Sequence, residues 1–440
     1  NKKKLYNFIG VGIDSRQIKK DNLFIAIKGS NNDGNKFIKS ALKNGASLAI
    51  TSKNYKHKNK KVIKVKNTTK FLKEFGILKR KNSSAKVLAI TGSVGKTTLK
   101  NMLQFLLEKF ESTHSSPKSF NNHYGVPLSL ANLNQSHKFG IFEVGMSKPG
   151  EIHNLSKMIK PNLAIITNIA EAHIENFKNL KGIAKAKSEI IDNVERDGTI
   201  ILNRDDKFFN YLSKRARYNK LKIISYGKSK NSDVCLVKKN IIHGEKELTI
   251  KVFNKKYLLK IKDINIYNVL ASLAVLKELN LNIPKSINIF KVLKPSEGRG
   301  KIHRIKRYNK RFNFIDESYN ANPLSVKNAL INFSFIKKKK SKKYLLLGDM
   351  LELGKKSEKY HENLSKLINS SDIDKVFIQG EKTINTYKTL KKEKRGNIFQ
   401  CNQDIDFFLK NIIAKNDYLM VKGSNATGLN SFCKTMIKGV

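Results

Sequence analysis

The sequence predicts an α/β protein of three domains: a small α/β N-terminal domain, a central parallel-sheet domain and a C-terminal doubly wound domain. Three observations predict it. A chain of 440 residues is long enough for about three domains with sizeable cores. From residue 85 onward, short apolar runs alternate with stretches of helical periodicity, as in parallel strands covered on both faces. The run Val87-Leu88-Ala89-Ile90-Thr91-Gly92-Ser93-Val94-Gly95-Lys96-Thr97-Thr98 reads as a buried strand, a glycine loop and the first turn of a helix.

The first domain is expected over residues 1–84. Residues 23–27 and 47–50 read as short strands, with a helix over 37–44 between them that ends at Gly45. The polar, basic segment 79–84 is expected to be a linker. The central domain, 85–300, continues after the glycine loop with a helix over 99–110. A strand over 140–144, a helix over 150–158, a strand over 163–168, a helix over 181–194 and a strand over 199–203 follow. Residues 221–265 are strand-rich, and 268–279 are helical. The third domain, 301–440, places strands over 312–316, 344–348, 375–379 and 418–422 between helical stretches, a Rossmann-like pattern.

Composition narrows the function classes. No stretch is apolar enough to span a bilayer, and the basic start lacks the apolar segment of a secretory signal, so no stable membrane insertion is expected. Cys235, Cys401 and Cys433 are far apart with no C-x-x-C, which fits a reducing cytoplasm. Lys and Arg number 87 against 35 Asp and Glu, a net charge of +52 that would ordinarily point to nucleic acid. The excess is nearly all lysine spread along the whole chain, so it reads as a compositional bias, and no nucleic-acid partner is expected. The dense run from Lys337 to Lys343 reads as a solvated loop.

The glycine loop carries the chemistry. At a helix N-terminus, unpartnered N–H groups point at an anion, and Lys96 can neutralise phosphate charge while Thr97 ligates Mg²⁺. Thr91, Gly92, Ser93, Val94, Gly95, Lys96, Thr97 and Thr98 are therefore expected to bind ATP or GTP. The general phosphate-loop spacing would place glycine at Ile90, so this loop is a shortened form. Glu143 ends a strand beside the loop, where a carboxylate can hold Mg²⁺; taken alone, a strand-end Glu is more often a solvated residue or a helix-dipole partner. His173 follows the strand over 163–168 and is a candidate ligand of a second divalent ion. By residue type, Lys187 cannot be told from a surface lysine.

Two later stretches combine residues that a surface loop seldom assembles. Asp316-Glu317-Ser318-Tyr319-Asn320-Ala321-Asn322-Pro323 follows a strand and opens a helix with Asn322 as N-cap. Lys422-Gly423-Ser424 also follows a strand, and its lysine and N–H groups can contact anions. Both are expected to face a crevice at strand ends, where a third domain can close over ATP.

Together these residues resemble the Mur ligase family over nearly the whole chain. The resemblance rests on Asp14-Ser15-Arg16, the loop from Thr91 to Thr98, and Asn121-Asn122-His123-Tyr124-Gly125-Val126-Pro127-Leu128. It extends to Glu143-Val144-Gly145-Met146, the segment from Asn168 to His173, Ala186-Lys187, the two later stretches, and Leu347-Gly348-Asp349-Met350-Leu351-Glu352-Leu353-Gly354. The N-N-H-Y-G-V-P-L, S-Y-N-A-N-P and G-D-M-L-E-L-G stretches resemble the branch that joins D-Ala-D-Ala to UDP-MurNAc-tripeptide, and the D-N-P-R signature of the diaminopimelate-adding branch is absent. The resemblance implies a cytoplasmic, monomeric ATP-dependent amide ligase of peptidoglycan precursor synthesis, working through an acyl phosphate.

At matching positions it further implies that Asp14, Ser15 and Arg16 lie in a uridine-nucleotide-binding domain, and that Thr97 and Glu143 hold the Mg²⁺ of ATP. His173 would bind a second Mg²⁺, and Lys187 matches a lysine that the family carbamylates. Asn268 would lie near adenine, Arg299 would reach phosphate, Asp316 would bind the ATP ribose, and Asn121, Asn122, Asn320 and Asn322 would line the substrate cleft. The chain departs from the family at Asn35, where members usually carry His. Two rivals remain at this point: a sister ligase adding another amino acid, and an ATP-switched nucleic-acid binder.

Overall fold

The computed structural model describes residues 7–29, 32–52, 59–242, 245–262, 264–293, 295, 297–336 and 340–438. The basic start at residues 1–6 and Lys337, Lys338 and Lys339 of the lysine run lie outside the described residues. The described residues build three sheets.

The first sheet is parallel, with β1 (Gly10–Gly12), β2 (Asn22–Ile25), β3 (Ala46–Ser52) and β4 (Val62–Val65) side by side in chain order. The helix Ile38–Lys43 before β3 ends at Gly45, whose φ of 103° lets the chain turn back into the sheet. The helix Thr68–Lys81 starts at Asn67, whose side chain accepts the Lys70 N–H. It corrects the linker expected over 79–84, because Lys79, Arg80 and Lys81 form its last turn. Cations there complement the negative end of the helix dipole. Arg80 also donates to the carbonyls of Ile159 and Lys160, at 2.7 and 2.8 Å, and so caps the end of the helix Glu151–Ile159 in the central unit. Asn132 ties the two units a second time, accepting the Val11 N–H and donating to the Val11 carbonyl at 2.9 and 3.0 Å.

The central sheet has nine strands: β5 (Lys86–Thr91), β6 (Thr113–Ser115), β7 (Phe139–Glu143), β8 (Leu163–Ile166), β9 (Thr199–Asn203), β10 (Lys222–Gly227), β11 (Val234–Ile242), β12 (Glu245–Val252) and β13 (Lys255–Ile261). Their spatial order is β13-β12-β11-β10-β9-β8-β5-β7-β6, with only the β11-β12-β13 edge antiparallel. The chain reaches β7 on one side of β5 and crosses to β8 on the other, so the strand order switches at β5. A crevice opens there at the carboxyl ends. The helix expected over 181–194 is shorter, Leu180–Ser188 followed by a 3₁₀ turn over Ile191–Asn193. Ser188 turns its hydroxyl onto the Lys185 carbonyl, a local bond that competes with helix continuation.

The helix Lys96–Leu107 packs Leu99, Leu103, Leu106 and Leu107, all fully buried, onto one face of this sheet, beside Leu270 and Leu273 of the helix Ile266–Glu278. Each such leucine contributes about 1.5–3 kcal/mol through burial. Phe142, Ile152 and Ile183 fill the other face. The phosphate loop is thus fixed between two packed layers.

The third sheet runs β14-β15-β19-β16-β17-β18, from β14 (Lys301–Arg307), β15 (Lys310–Glu317), β16 (Lys343–Gly348), β17 (Lys375–Gln379), β18 (Arg395–Phe399) and β19 (Tyr418–Lys422). All pairs are parallel except β14 with β15. Insertion of β19 between β15 and β16 brings the loops after β15 and β19 together. Among the described residues no helix is long and apolar enough to cross a membrane, and Cys235, Cys401 and Cys433 are free thiols.

Candidate active site at the phosphate loop

Between β5 and the helix Lys96–Leu107, the loop is shaped by Gly92 and Gly95, with φ of 144° and 90°. A Cβ on Gly92 would stand 1.9 Å from Thr167 Oγ1, so no other residue fits. The segment after β8 braces the loop from below. Asn168 Oδ1 accepts the Val94 N–H at 3.0 Å, Thr167 Oγ1 donates to the Val94 carbonyl at 2.7 Å, and Ser93 Oγ donates to the Ala170 carbonyl at 2.8 Å.

Thr97 is the meeting point. Its hydroxyl donates to Glu143 Oε2 at 2.6 Å, accepts from Arg299 Nη2 at 2.9 Å, and lies 3.2 Å from Ser119 Oγ. Asn121 Nδ2 donates to the other carboxylate oxygen of Glu143 at 2.7 Å. Glu143 is 1% exposed, so this buried carboxylate is oriented from two sides. The Arg299 guanidinium stacks on Tyr319, 4.3 Å from the ring centroid.

Lys96 and Lys187 converge on one acceptor. Lys96 Nζ donates to the Gly92 carbonyl at 2.8 Å, and Lys187 Nζ reaches the same oxygen at 3.1 Å. Burial pushes the Lys187 amine well below the ordinary lysine range, and the Lys96 charge pushes the same way. Lys96 is also lowered by burial, with Glu143 working against the shift and Arg299 adding to it. Lys187, which residue type alone could not tell from a surface lysine, is 2% exposed at the centre of the site.

These groups line a cleft of about 2150 Å³ between the central and third units. Gly92, Ser93, Val94, Gly95, Lys96, Thr97, Thr98, Asn121, Asn122, Glu143, His173, Lys187, Asn268, Arg299, Asn320 and Asn322 all lie on its wall. Asn268 stands beside the loop, its Oδ1 3.3 Å from where a Gly95 Cβ would be. Asn122 caps the helix Gly125–Ala131 by accepting the Gly125 N–H, and Asn322 caps the helix Pro323–Ser334 by accepting the Ser325 N–H, both at 2.9 Å. Lys422 Nζ donates to the carbonyls of Glu317 and Asn320 at 3.2 and 2.5 Å, which fixes the loop after β15.

His173, in the left-handed region at φ 56°, pairs its Nδ1 with Glu352 Oε2 of the third unit. That contact holds the Glu352 carboxyl below the usual range. Five expected positions lie elsewhere. Thr91 ends β5 inside the core, and Asp14 caps a 3₁₀ turn over Ser15–Gln17 in the first unit, where Asp14 accepts from Arg16 Nε and Nη2, both at 2.9 Å. Asp316 does not line the cleft: side chains alternate along β15, so Ile315 and Glu317 face it, and Asp316 turns inward to accept from Ser318 N and Oγ at 3.0 and 2.6 Å. Asn35, at the departure noted above, is buried, with Oδ1 accepting the Thr51 hydroxyl at 2.5 Å and Nδ2 donating to Asp33 at 2.8 Å.

A hard divalent cation wants oxygen ligands and takes few from protein. Thr97 Oγ1 and Glu143, a hydroxyl and a buried carboxylate already in contact beside the loop, fit Mg²⁺. No cluster of three or more His, Cys, Asp or Glu with metal-binding geometry occurs among the described residues. His173 and Lys187 each hold a separate partner.

Three family models match in succession: the Mur ligase family catalytic domain over residues 7–80, the Mur ligase middle domain over 90–276, and the Mur ligase glutamate ligase domain over 302–425. A relative from Buchnera aphidicola (subsp. Acyrthosiphon pisum), called UDP-N-acetylmuramoyl-tripeptide–D-alanyl-D-alanine ligase, is 35% identical over 97% of this chain and 92% of its own length. This chain belongs to the Mur ligase family. A Rickettsia prowazekii protein of the same description is 33% identical over 96% of this Mur ligase and 93% of its own length. The structure of MurF ligase from Thermotoga maritima in complex with ADP superposes with a TM-score of 0.80 at 27% identity, covering all of both chains. MurF from Acinetobacter baumannii gives a TM-score of 0.83 at 24% identity, covering 97% of this chain and 93% of its own.

In this Mur ligase, Ser119 also lines the cleft, although sequence reasoning did not single it out, and so do Glu317 and Tyr319, which belong to a stretch expected to face a crevice but were given no role of their own. The alternation of β15 could have found Glu317, since it shares a face with Ile315. Nothing in the sequence signals Ser119, which reaches Thr97 only through the path of the loop after β6.

Proposed function

We propose that this Mur ligase uses ATP to join D-Ala-D-Ala to UDP-MurNAc-tripeptide through an acyl phosphate. The carrying observation is that Thr97 of the phosphate loop touches both Glu143 and Arg299, in a chain 35% identical over 97% of its length to a ligase described for this reaction. In this reading residues 1–84 bind the UDP-sugar end, 85–300 bind ATP, and 301–440 bring the dipeptide. Loop N–H groups and Lys96 receive the β- and γ-phosphates, and Asn268 lies toward the base. Thr97 and Glu143 hold Mg²⁺, which supplies charge neutralisation at the phosphate oxygens.

The peptide carboxylate attacks the γ-phosphorus as the bond to ADP breaks. Lys96 and Arg299 stabilise the charge that moves onto the leaving oxygen. The dipeptide amine, held by the loop containing Asn320 and Asn322, then attacks the acyl carbon and phosphate leaves. Lys187 is proposed to act as a carbamate. Burial favours its uncharged amine, the form that adds CO₂, and the product anion would relieve its repulsion from Lys96. With His173 it would hold a second divalent ion. We place the enzyme in the cytoplasm, working as a monomer.

Phosphate release from ATP should require both UDP-MurNAc-tripeptide and D-Ala-D-Ala. Release driven instead by a single amino acid would replace the dipeptide, and no release with any amine would reject the ligase reading.

A further inference from the structure

Lys100 has no part in the chemistry above, yet it is 1% exposed and lies one turn beyond Thr97 on the phosphate-loop helix. Its ammonium donates to two neutral carbonyls, those of Ser116 and Lys118, the second at 2.5 Å. Burying a cation against neutral groups is costly, and a methionine would fill the same space at less cost. The arrangement needs a reason, and the segment that Lys100 grips supplies one.

That segment leaves β6 and wraps the carboxylate of Glu143. Ser116 Oγ accepts the Glu143 N–H at 3.2 Å, Ser119 Oγ lies 3.2 Å from Thr97 Oγ1, and Asn121 Nδ2 donates to Glu143 Oε1 at 2.7 Å. The Asn121 carbonyl also accepts the Gly145 N–H at 2.8 Å. Three side chains of one segment therefore orient the two candidate Mg²⁺ ligands, and the segment is anchored to the helix bearing one of them.

We propose that Lys100 is a positioning residue for the MgATP half of the site: it pins residues 116–121 so that Ser119 and Asn121 hold Thr97 and Glu143 in their ligating orientation. The inference rests on the ligase reading for its substrates, but not for its geometry. Burial pushes the ammonium down to about 8, so it is mainly charged at neutral pH. The opposite wall, with Asn320, Asn322 and Lys422, does not depend on this anchor. A defect at Lys100 should thus separate the nucleotide side from the dipeptide side.

The test compares the full-length Lys100→Met variant with the unaltered protein by two measurements. In calorimetric titration with ADP, the gain in affinity on adding Mg²⁺ should shrink by about 10–100-fold, the usual cost of losing an outer support of a metal ligand. Affinity for ADP without Mg²⁺ should stay unchanged. In phosphate-release assays the Mg²⁺ needed for half-maximal rate should rise, while KM for D-Ala-D-Ala stays within about twofold. An unchanged Mg²⁺ gain, or an equal loss of ADP binding with and without Mg²⁺, would overturn the proposal and leave Lys100 a merely structural residue. Should Lys100→Met not fold, Ser119→Ala removes only the hydroxyl beside Thr97 and must reduce the same Mg²⁺ gain; no reduction overturns the proposal. An unaltered protein that releases no phosphate would reject the ligase reading, while the ADP titration would still judge Lys100.

Discussion

Lys96 and Lys187 donate to the same carbonyl oxygen, that of Gly92, at 2.8 and 3.1 Å. Two lysine nitrogens sharing one neutral acceptor make the loop attractive to an anion, and the Lys96 charge lowers the proton affinity of Lys187.

Lys96→Ala should lower phosphate release by about 10²–10³-fold, the usual loss when a charge-stabilising donor is removed from a reacting phosphate. A steady-state assay checks this. Near-normal turnover would place the nucleotide elsewhere.

Lys187→Ala should be inactive and regain part of its activity with added short carboxylates, which would stand in for the proposed carbamate. The unaltered protein should lose activity in CO₂-depleted buffer and recover it with bicarbonate. Full activity of Lys187→Ala without any addition would remove the carbamate.

Arg299→Ala should reduce kcat severely, whereas Tyr319→Leu should cost only a few-fold, because the stacking at 4.3 Å is worth about 0.5–1 kcal/mol. Kinetics of both variants at saturating substrates give the comparison. Equal losses would mean that Tyr319 does more than hold the guanidinium.

His114 provides a pH dependence. Its Nε2 lies 2.8 Å from the Ser129 carbonyl, and burial, assisted by the charge of His137, pushes its pKa from 6.5 down to about 4. In the unfolded chain the imidazole takes up a proton near 6.5, but the folded protein does not until about 4. Stability should therefore fall as pH drops through that window, since the unfolded state binds the extra proton. His114→Gln should flatten this part of the profile, as read from melting temperatures on both sides of the window. An unaltered slope would assign acid sensitivity to other groups.

The central sheet was legible because its strands are buried on both faces and announce themselves as apolar runs; β5, β7, β8 and β9 all lie close to their expected positions. β14 and β18 escaped because they are edge strands: Lys301, Arg304, Lys306 and Arg307 fill β14, and a strand paired on one side tolerates such charge. The segment 79–84 misled for a related reason. Its cations look like a solvated break, while they serve as the favourable last turn of a helix and, through Arg80, as a tie to the next unit.

At the site, the loop residues were readable from their own chemistry, but partnership was not. That Lys187 is buried against Gly92, or that Asp316 turns inward while Glu317 faces the cleft, depends on packing and strand register. Asn35 shows the same limit: its amide is satisfied by Thr51 and Asp33 within its own unit.

Arg299 stands two residues before β14, at the seam between the central and third units, yet it touches the Thr97 hydroxyl that bonds Glu143. Its position is thus a measure of how the two halves are angled. A molecule with the third unit swung away would keep Lys96 on the nucleotide but lose this second cation. ATP bound in that posture would be guarded against idle hydrolysis, and cleavage would be timed to closure of the third unit, which is proposed to bring the dipeptide.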